Sequence, residues 1–213
     1  MKPLPLILLA LLAACQNGLA QGFVDLDFES PNLTEYSPGG TVPATNAFPG
    51  WIVNAQYLFY DNVSLSGDAV SIIDTNSTYY TTPIQGKYYA ILEPGNSPSS
   101  SQTISLGQTG TIPLGTKSIT FWGNIGGLQI TFAGQSLAFN EIGSAANYNI
   151  YGADVSALAG QTGELLFTLP PYVNDADLDN IQFSTQAVPE PGVFALSALG
   201  GGVFLAWRAK RRN

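Results

Sequence analysis

Asp27, Glu29, Asp179 and Asn180 place hard oxygen donors near both ends of the central part of this chain, and Tyr57, Tyr60, Tyr79 and Tyr80 place flat aromatic faces in its first half. Carboxylate and amide oxygens are the donors that hard cations take, but the residues alone do not bring the two ends of the first set together. Sugars are held by aromatic faces rimmed with amides and carboxylates, which the second set offers among many Asn, Asp and Gln residues. Each set also has a plainer reading. Most carboxylates on a β protein are solvated edge or turn residues, and tyrosines favour strands because they pack across neighbours. Other chemistry is excluded by composition. With no histidine, and with Cys15 as the single cysteine in an apolar leader, Ser–His and Cys–His nucleophile systems and histidine-ligated zinc have no residues to use. A glycoside hydrolase needs only two acids about 5 to 10 Å apart. Pairs such as Asp61 with Asp68, or Asp154 with Glu164, exist, but nothing in the sequence singles one out. The expectation is a binding or structural protein rather than an enzyme.

The two ends of the chain set its destination. Met1 and Lys2 give a positive start, residues 4–14 an apolar run, and Gly18-Leu19-Ala20 the small residues of a cleavage site before Gln21, so residues 1–20 read as a secretory leader for signal peptidase. Leu12-Ala13-Ala14-Cys15 resembles the lipobox of bacterial lipoproteins, which makes lipidation at Cys15 the rival form of processing. At the other end Pro189, Glu190, Pro191 and Gly192 precede an apolar stretch at 193–207, and Arg208, Lys210, Arg211 and Arg212 close the chain. As a helix that stretch rises only ~22 Å against a hydrocarbon core of roughly 30 Å, and the positive cluster would stay on the cytoplasmic side. A short transmembrane hold fits better than a permanent anchor.

The order of Pro-Glu-Pro, apolar span and basic cluster in residues 188–213 resembles the PEP-CTERM sorting signal. That resemblance implies recognition by exosortase, a membrane protease, and delivery to the envelope or the extracellular matrix of a bacterium. It says nothing about the chemistry of the passenger.

Residues 21–187 form that passenger, long enough for one domain with a sizeable core. It keeps Lys87 and Lys117 as its only bases against fourteen carboxylates, a net charge of −12. A field of that sign repels phosphate backbones, so nucleic-acid binding is not expected. Short apolar runs separated by Gly and Pro turns at roughly ten-residue intervals predict an all-β sandwich. The predicted strands are residues 24–29, 51–60, 70–74, 88–92, 101–106, 118–123, 128–132, 135–140, 148–154, 163–169 and 179–184. Ser118-Ile119-Thr120-Phe121-Trp122 and Leu128-Gln129-Ile130-Thr131-Phe132 alternate polar with apolar, so each buries one face. Ala133-Gly134 reads as a hairpin turn, and one short helical turn capped by Asp154 is expected within 153–159.

Leu26-Asp27-Phe28-Glu29-Ser30, Phe48-Pro49-Gly50-Trp51 and Leu178-Asp179-Asn180-Ile181-Gln182-Phe183 together resemble the galactose-binding-like jelly roll, the scaffold of many carbohydrate-binding modules. The resemblance implies that the first and last strands pair and that a structural calcium sits where they meet, on Glu29 and Asp179 with Asp27 or Asn180. Where that family closes with two acids this chain has Asp179-Asn180, one charge fewer for a cation. It also implies polysaccharide as the ligand. The stretch Asn174-Asp175-Ala176-Asp177-Leu178-Asp179 is only weakly similar to a calcium loop.

Overall fold

The computed structural model describes residues 22–62, 67–77, 84–95 and 102–188. The leader with Cys15, the Tyr79-Tyr80 pair and the whole sorting segment, from Pro189, Glu190, Pro191 and Gly192 to Arg208, Lys210, Arg211 and Arg212, lie outside these residues.

The described residues form two sheets. In chain order the strands are β1 (Ile52–Asn54), β2 (Tyr57–Tyr60), β3 (Ala69–Asp74), β4 (Tyr88–Glu93), β5 (Ile104–Thr111) and β6 (Ser118–Gly123). They continue with β7 (Gln129–Phe132), β8 (Gln135–Ser136), β9 (Phe139–Ser144), β10 (Asn149–Asp154), β11 (Thr162–Leu169) and β12 (Ala176–Ser184). One sheet runs β1-β5-β11-β7-β8 and the other β2-β3-β4-β12-β6-β10-β9. Neighbours pair antiparallel except β2 and β3, which run parallel. Three of the four edge strands are short, β1, β8 and β2 having three, two and four residues, and the fourth, β9, has six. The free side of β2 is further hydrogen-bonded by residues 39–42, which exchange backbone bonds with Leu58 and Tyr60.

The sheets face one another across an apolar core, because alternate residues of each strand turn inward. On β6, Ile119 and Phe121 are fully buried in it, as Leu165, Phe167 and Leu169 are on β11. Aromatic rings connect one side to the other: Phe28 lies 5.5 Å from Trp51, Trp51 6.3 Å from Phe167, Phe167 5.9 Å from Phe121, and Phe121 5.4 Å from Tyr151, centroid to centroid. Such contacts give the sandwich directional packing in addition to buried area.

Several predicted elements differ in the structure. Residues 24–29 are not a strand. Asp25 and Phe28 take positive φ values of 48° and 55°, and the turn they make drives the Phe28 ring into the core against Phe48, 5.8 Å away. Only one backbone bond joins this opening segment to the last strand, from the Ile181 N–H to the Leu26 carbonyl at 2.9 Å. Residues 51–60 are two strands in different sheets, and 135–140 breaks into β8 and the start of β9. The acid-rich stretch at 174–179 is largely strand, since β12 begins at Ala176 and Asp177 and Asp179 share its outward face. The hairpin at Ala133-Gly134 is present, with φ of 48° and 77° at consecutive turn residues as a tight two-residue loop requires. Asp154 holds a 3-10 turn at Ser156–Leu158 through a 2.8 Å bond from the Ser156 N–H. A four-residue helix, Ala44–Ala47, has no counterpart in the sequence reading.

Candidate functional site

The first cluster forms where the opening turn, the segment before β4 and the start of the last strand meet. The Asp25–Ser30 stretch is fixed from within by the Ser30 N–H donating to Asp25 Oδ1 at 2.9 Å, and from the core by the Trp51 indole N–H donating to the Asp25 carbonyl at 3.0 Å. This presents Glu29, whose Oε1 accepts the N–H groups of Lys87 at 2.6 Å and Tyr88 at 2.9 Å. Two residues earlier, the Gln85 N–H donates to Asp179 Oδ2 at 2.8 Å, while Asp179 Oδ1 accepts the Asn180 N–H at 2.6 Å. One short loop therefore bridges two carboxylates from distant parts of the chain. Gly86 makes it possible: its φ is +57°, and a Cβ there would collide with the Glu29 carboxylate.

The cluster carries excess negative charge in a dry place. Asp179 has no exposed surface, and burial pushes its carboxyl up to about 8 against two backbone hydrogen bonds, with the charges of Glu29 and Asp27 adding to the rise. Burial likewise raises Asp25, opposed by Ser30 and assisted by Asp27 and Glu29. Two buried oxygens have no hydrogen-bond partner, Asp25 Oδ2 and Gln85 Oε1. Of the residues expected here, Glu29 and Asp179 converge on the loop and Asp27 lies exposed beside them. Asn180 is buried at a φ of 46° with its Oδ1 accepting the Gln182 amide at 2.6 Å. Asp25 and Gln85 complete the neighbourhood and were not singled out by sequence. No group of three or more His, Cys, Asp or Glu side chains placed to hold a metal occurs among the described residues. Both Asp179 oxygens and Glu29 Oε1 are already engaged by backbone N–H groups, so an ion here would share these acceptors and take most of its shell from backbone and water.

The second cluster lies on the outward face of the seven-stranded sheet. Because Ile119 and Phe121 point into the core, Trp122 points away from it, and its ring stacks on Tyr148 at 4.9 Å with the planes 9° apart. Both rings are partly buried against a separate apolar patch of Ile73, Ile84, Tyr89 and Ile91. Polar groups stand beside them. The Asn124 amide donates to Asp177 Oδ2 and to the Asn147 carbonyl, each at 3.1 Å, and the Asp177 N–H returns a bond to the Asn124 carbonyl at 2.9 Å. Gly123, beside Trp122, has the Asp177 carbonyl where a Cβ would be, so only glycine allows β6 and β12 to approach so closely here. Burial raises the Asp177 carboxyl, opposed by Asn124 and assisted by the charge of Asp175.

The tyrosines expected to bind sugar separate. Tyr57 is 42% exposed and stacks on Phe59 at 5.9 Å, both facing outward from β2 because Leu58 and Tyr60 pack against the core. Tyr60 has to be removed from the expected set: it is buried, its hydroxyl donates to Asp74 Oδ2 at 2.9 Å, and burial, assisted by that bond, raises the phenol. Trp122 and Tyr148 were missed. The signal for Trp122 was present, since an aromatic on the polar side of an alternating strand has no core to enter.

These features define a class: a two-sheet β-sandwich with a charged clamp between its opening turn and its last strand and an aromatic patch on one outer face. No protein-family model matches the chain, and no curated protein matches it. Among solved structures it is similar to TmCBM61 in complex with beta-1,4-galactotriose, at 12% identity and a TM-score of 0.39 over 78% of this chain and 99% of that one. It is similar to the K2 cleaved adhesin domain of Lys-gingipain, at 15% identity and a TM-score of 0.42 over 74% of this chain and 95% of that one. It is also similar to the enzymatically active domain of bacteriophage CBA120 tailspike protein 4, at 14% identity and a TM-score of 0.38 over 64% of this chain and 19% of that one.

Proposed function

We propose that this chain is an exported, non-enzymatic glycan-binding protein of a bacterial envelope or matrix. Its leader is cut by signal peptidase, its Pro189-Glu190-Pro191-Gly192 segment is read by exosortase, and its passenger is a jelly roll of the galactose-binding-like kind. The stacked Trp122–Tyr148 pair, turned away from the core beside Asn124 and Asp177, carries this reading. A pyranose ring laid on an aromatic edge or face there has a carboxylate acceptor within the same patch, held in place by the Asn124 amide, whose N–H groups are spent on Asp177 and Asn147. Tyr57 with Phe59 offers a second, smaller aromatic surface on the same sheet face.

In the same reading a calcium ion staples Glu29 to Asp179, helped by Asp25 and Gln85. When bound, the ion supplies two positive charges that neutralise the carboxylates and satisfy the two unpartnered oxygens. The chain itself holds the donors in place through the N–H groups of Gln85, Lys87 and Tyr88.

The test is affinity electrophoresis of the full-length chain in detergent through gels cast with galactan, xylan or dextran. Retardation in one gel, lost in Trp122→Ala with Tyr148→Ala while Tyr57→Ala changes it less, supports the reading. Free migration in every gel favours a matrix protein without a ligand, and release of reducing ends would make it a hydrolase. Mass spectrometry of the processed protein reads both new termini and any lipid on Cys15.

A further inference from the structure

We propose that the Trp122–Tyr148 patch takes uncharged glycan chains, and that Asp177 and Asp175 at its rim turn away sugars bearing carboxylate, sulfate or phosphate. This rests on the glycan reading above and adds the class of sugar, so that the patch sorts matrix polymers by charge.

Strand alternation sets the rim. Asp179 on β12 is the cross-strand partner of Trp122 on β6, and every second residue of β12 shares its outward face. Asp177 therefore stands one pleat along from the ring, with Asp175 just beyond the start of the strand. The Asn124 amide donates one N–H to Asp177 Oδ2 and the other to the Asn147 carbonyl, so neither is left for an anion. What acts on Asp177 is burial, that amide and the charge of Asp175, and no cation is among them. Both lysines of the described residues are engaged elsewhere. Lys87 donates from Nζ to the Tyr88 hydroxyl at 2.7 Å and lies 4.6 Å from the centre of the Tyr88 ring, which packs against the main core rather than the outer patch. Lys117 precedes the first residue of β6, five residues from Trp122, or ~17 Å along an extended strand.

The choice of ligand follows from charge. A uronate or a sulfated sugar laid on the rings brings a second negative charge beside Asp177, in a site partly closed to water and without a counter-charge. Repulsion of that kind is how a site rejects a ligand that its contact surface would otherwise accept. A neutral sugar meets no such penalty, since its hydroxyls donate to the carboxylate while its C–H face lies on the rings. The net charge of −12 on the passenger acts in the same direction from farther away, but salt screens it first.

The test runs the full-length chain in an uncharged detergent, at mildly alkaline pH where raised carboxyls are ionised. Gels are cast with one retarding polymer in two lightly substituted forms of similar bulk, hydroxyethyl and carboxymethyl. At low salt the carboxymethyl form should hold the chain about tenfold more weakly, and the gap should narrow in about 1 M sodium chloride, where the screening length falls to roughly 3 Å. The gap should also narrow in Asp177→Asn and in Asp175→Asn, with thermal unfolding as the check that both fold. It should stay as wide in Glu35→Gln, which removes an equal charge from an exposed turn at residues 33–36, on the way to the segment that flanks β2, four strands from β6. Equal or stronger retardation by the carboxymethyl form, still lost in Trp122→Ala with Tyr148→Ala, overturns the selection and leaves the glycan reading standing. A gap that Asp177→Asn narrows no further than Glu35→Gln assigns the repulsion to the whole domain and overturns the role of the rim. Unhindered migration through every polymer overturns the selection together with the glycan reading.

Discussion

Replacing Asp179 by Asn should remove a pH-dependent penalty from the metal-free protein and abolish its response to calcium. The carboxyl of Asp179 is raised from an ordinary 3.8 to about 8, with burial as the leading cause. A raised acid binds its proton more tightly in the folded chain than in the unfolded one, so between about pH 4 and pH 8 the folded state holds a proton that the unfolded state has released. Stability from this group is therefore greatest below about pH 4 and falls as pH rises through that window. At pH 7 the penalty comes to about 4 kcal/mol at 1.36 kcal/mol per unit, and relaxation around a buried acid leaves ~2 kcal/mol. For a domain of this size that is about 4 to 8 °C in Tm. Asn removes the charge to bury but keeps an acceptor for only one of the Gln85 and Asn180 N–H groups, a cost that does not vary with pH and offsets part of the gain. The assay is thermal unfolding in EGTA from pH 4.5 to 8, read as the variant-minus-wild-type difference in Tm, then repeated in calcium chloride. The difference should grow with pH in EGTA and reverse in calcium, where the ion takes the place of the proton. A difference that stays flat across the range would refute the reasoning.

Phe121→Ala removes a fully buried ring that touches Phe139, Tyr151 and Phe167, and should cost about 3 to 5 kcal/mol in urea unfolding. Ala133→Gly relieves an exposed alanine at a φ of 48° in the β7–β8 turn and should add about 0.5 to 1 kcal/mol by the same measurement. Gly86→Ala places a Cβ against the Glu29 carboxylate at a φ of +57°, so it should lower both the unfolding midpoint and the calcium affinity measured by calorimetry. If its calcium affinity were unchanged, the loop would have no part in holding the ion.

The strand pattern was readable wherever burial is one-sided. At β6 the alternation of Ile119 and Phe121 with Ser118, Thr120 and Trp122 marks the strand from end to end, and Ala133-Gly134 marks the β7–β8 hairpin by backbone chemistry alone. Residues 24–29 misled because Phe28 alternates like a strand residue, yet the turn that inserts its ring among Phe48 and Trp51 is dictated by the filled core, which is a non-local fact. Glu29 and Asp179 were found through a motif resemblance. Gln85 escaped because its role lies in a backbone N–H and an unpartnered amide oxygen, neither of which has a side-chain signature. Trp122 and Tyr148 escaped for a related reason: they are 26 residues apart, and only the antiparallel pairing of β6 with β10 stacks them.

The margins of the two sheets bear on the crowded matrix setting proposed above. An unpaired strand is a template on which a second molecule can add itself, and a polymer-filled matrix raises the encounter rate for such accretion. Here β1 and β8 offer only three and two residues for capture, and the flank of β2 is already spoken for by residues 39–42. That leaves β9, which carries Glu141 and Gly143 and whose register with β10 slips next to Tyr151, a poor seed for cross-β growth. The domain is thereby suited to sit at high local density beside its own copies without fusing to them.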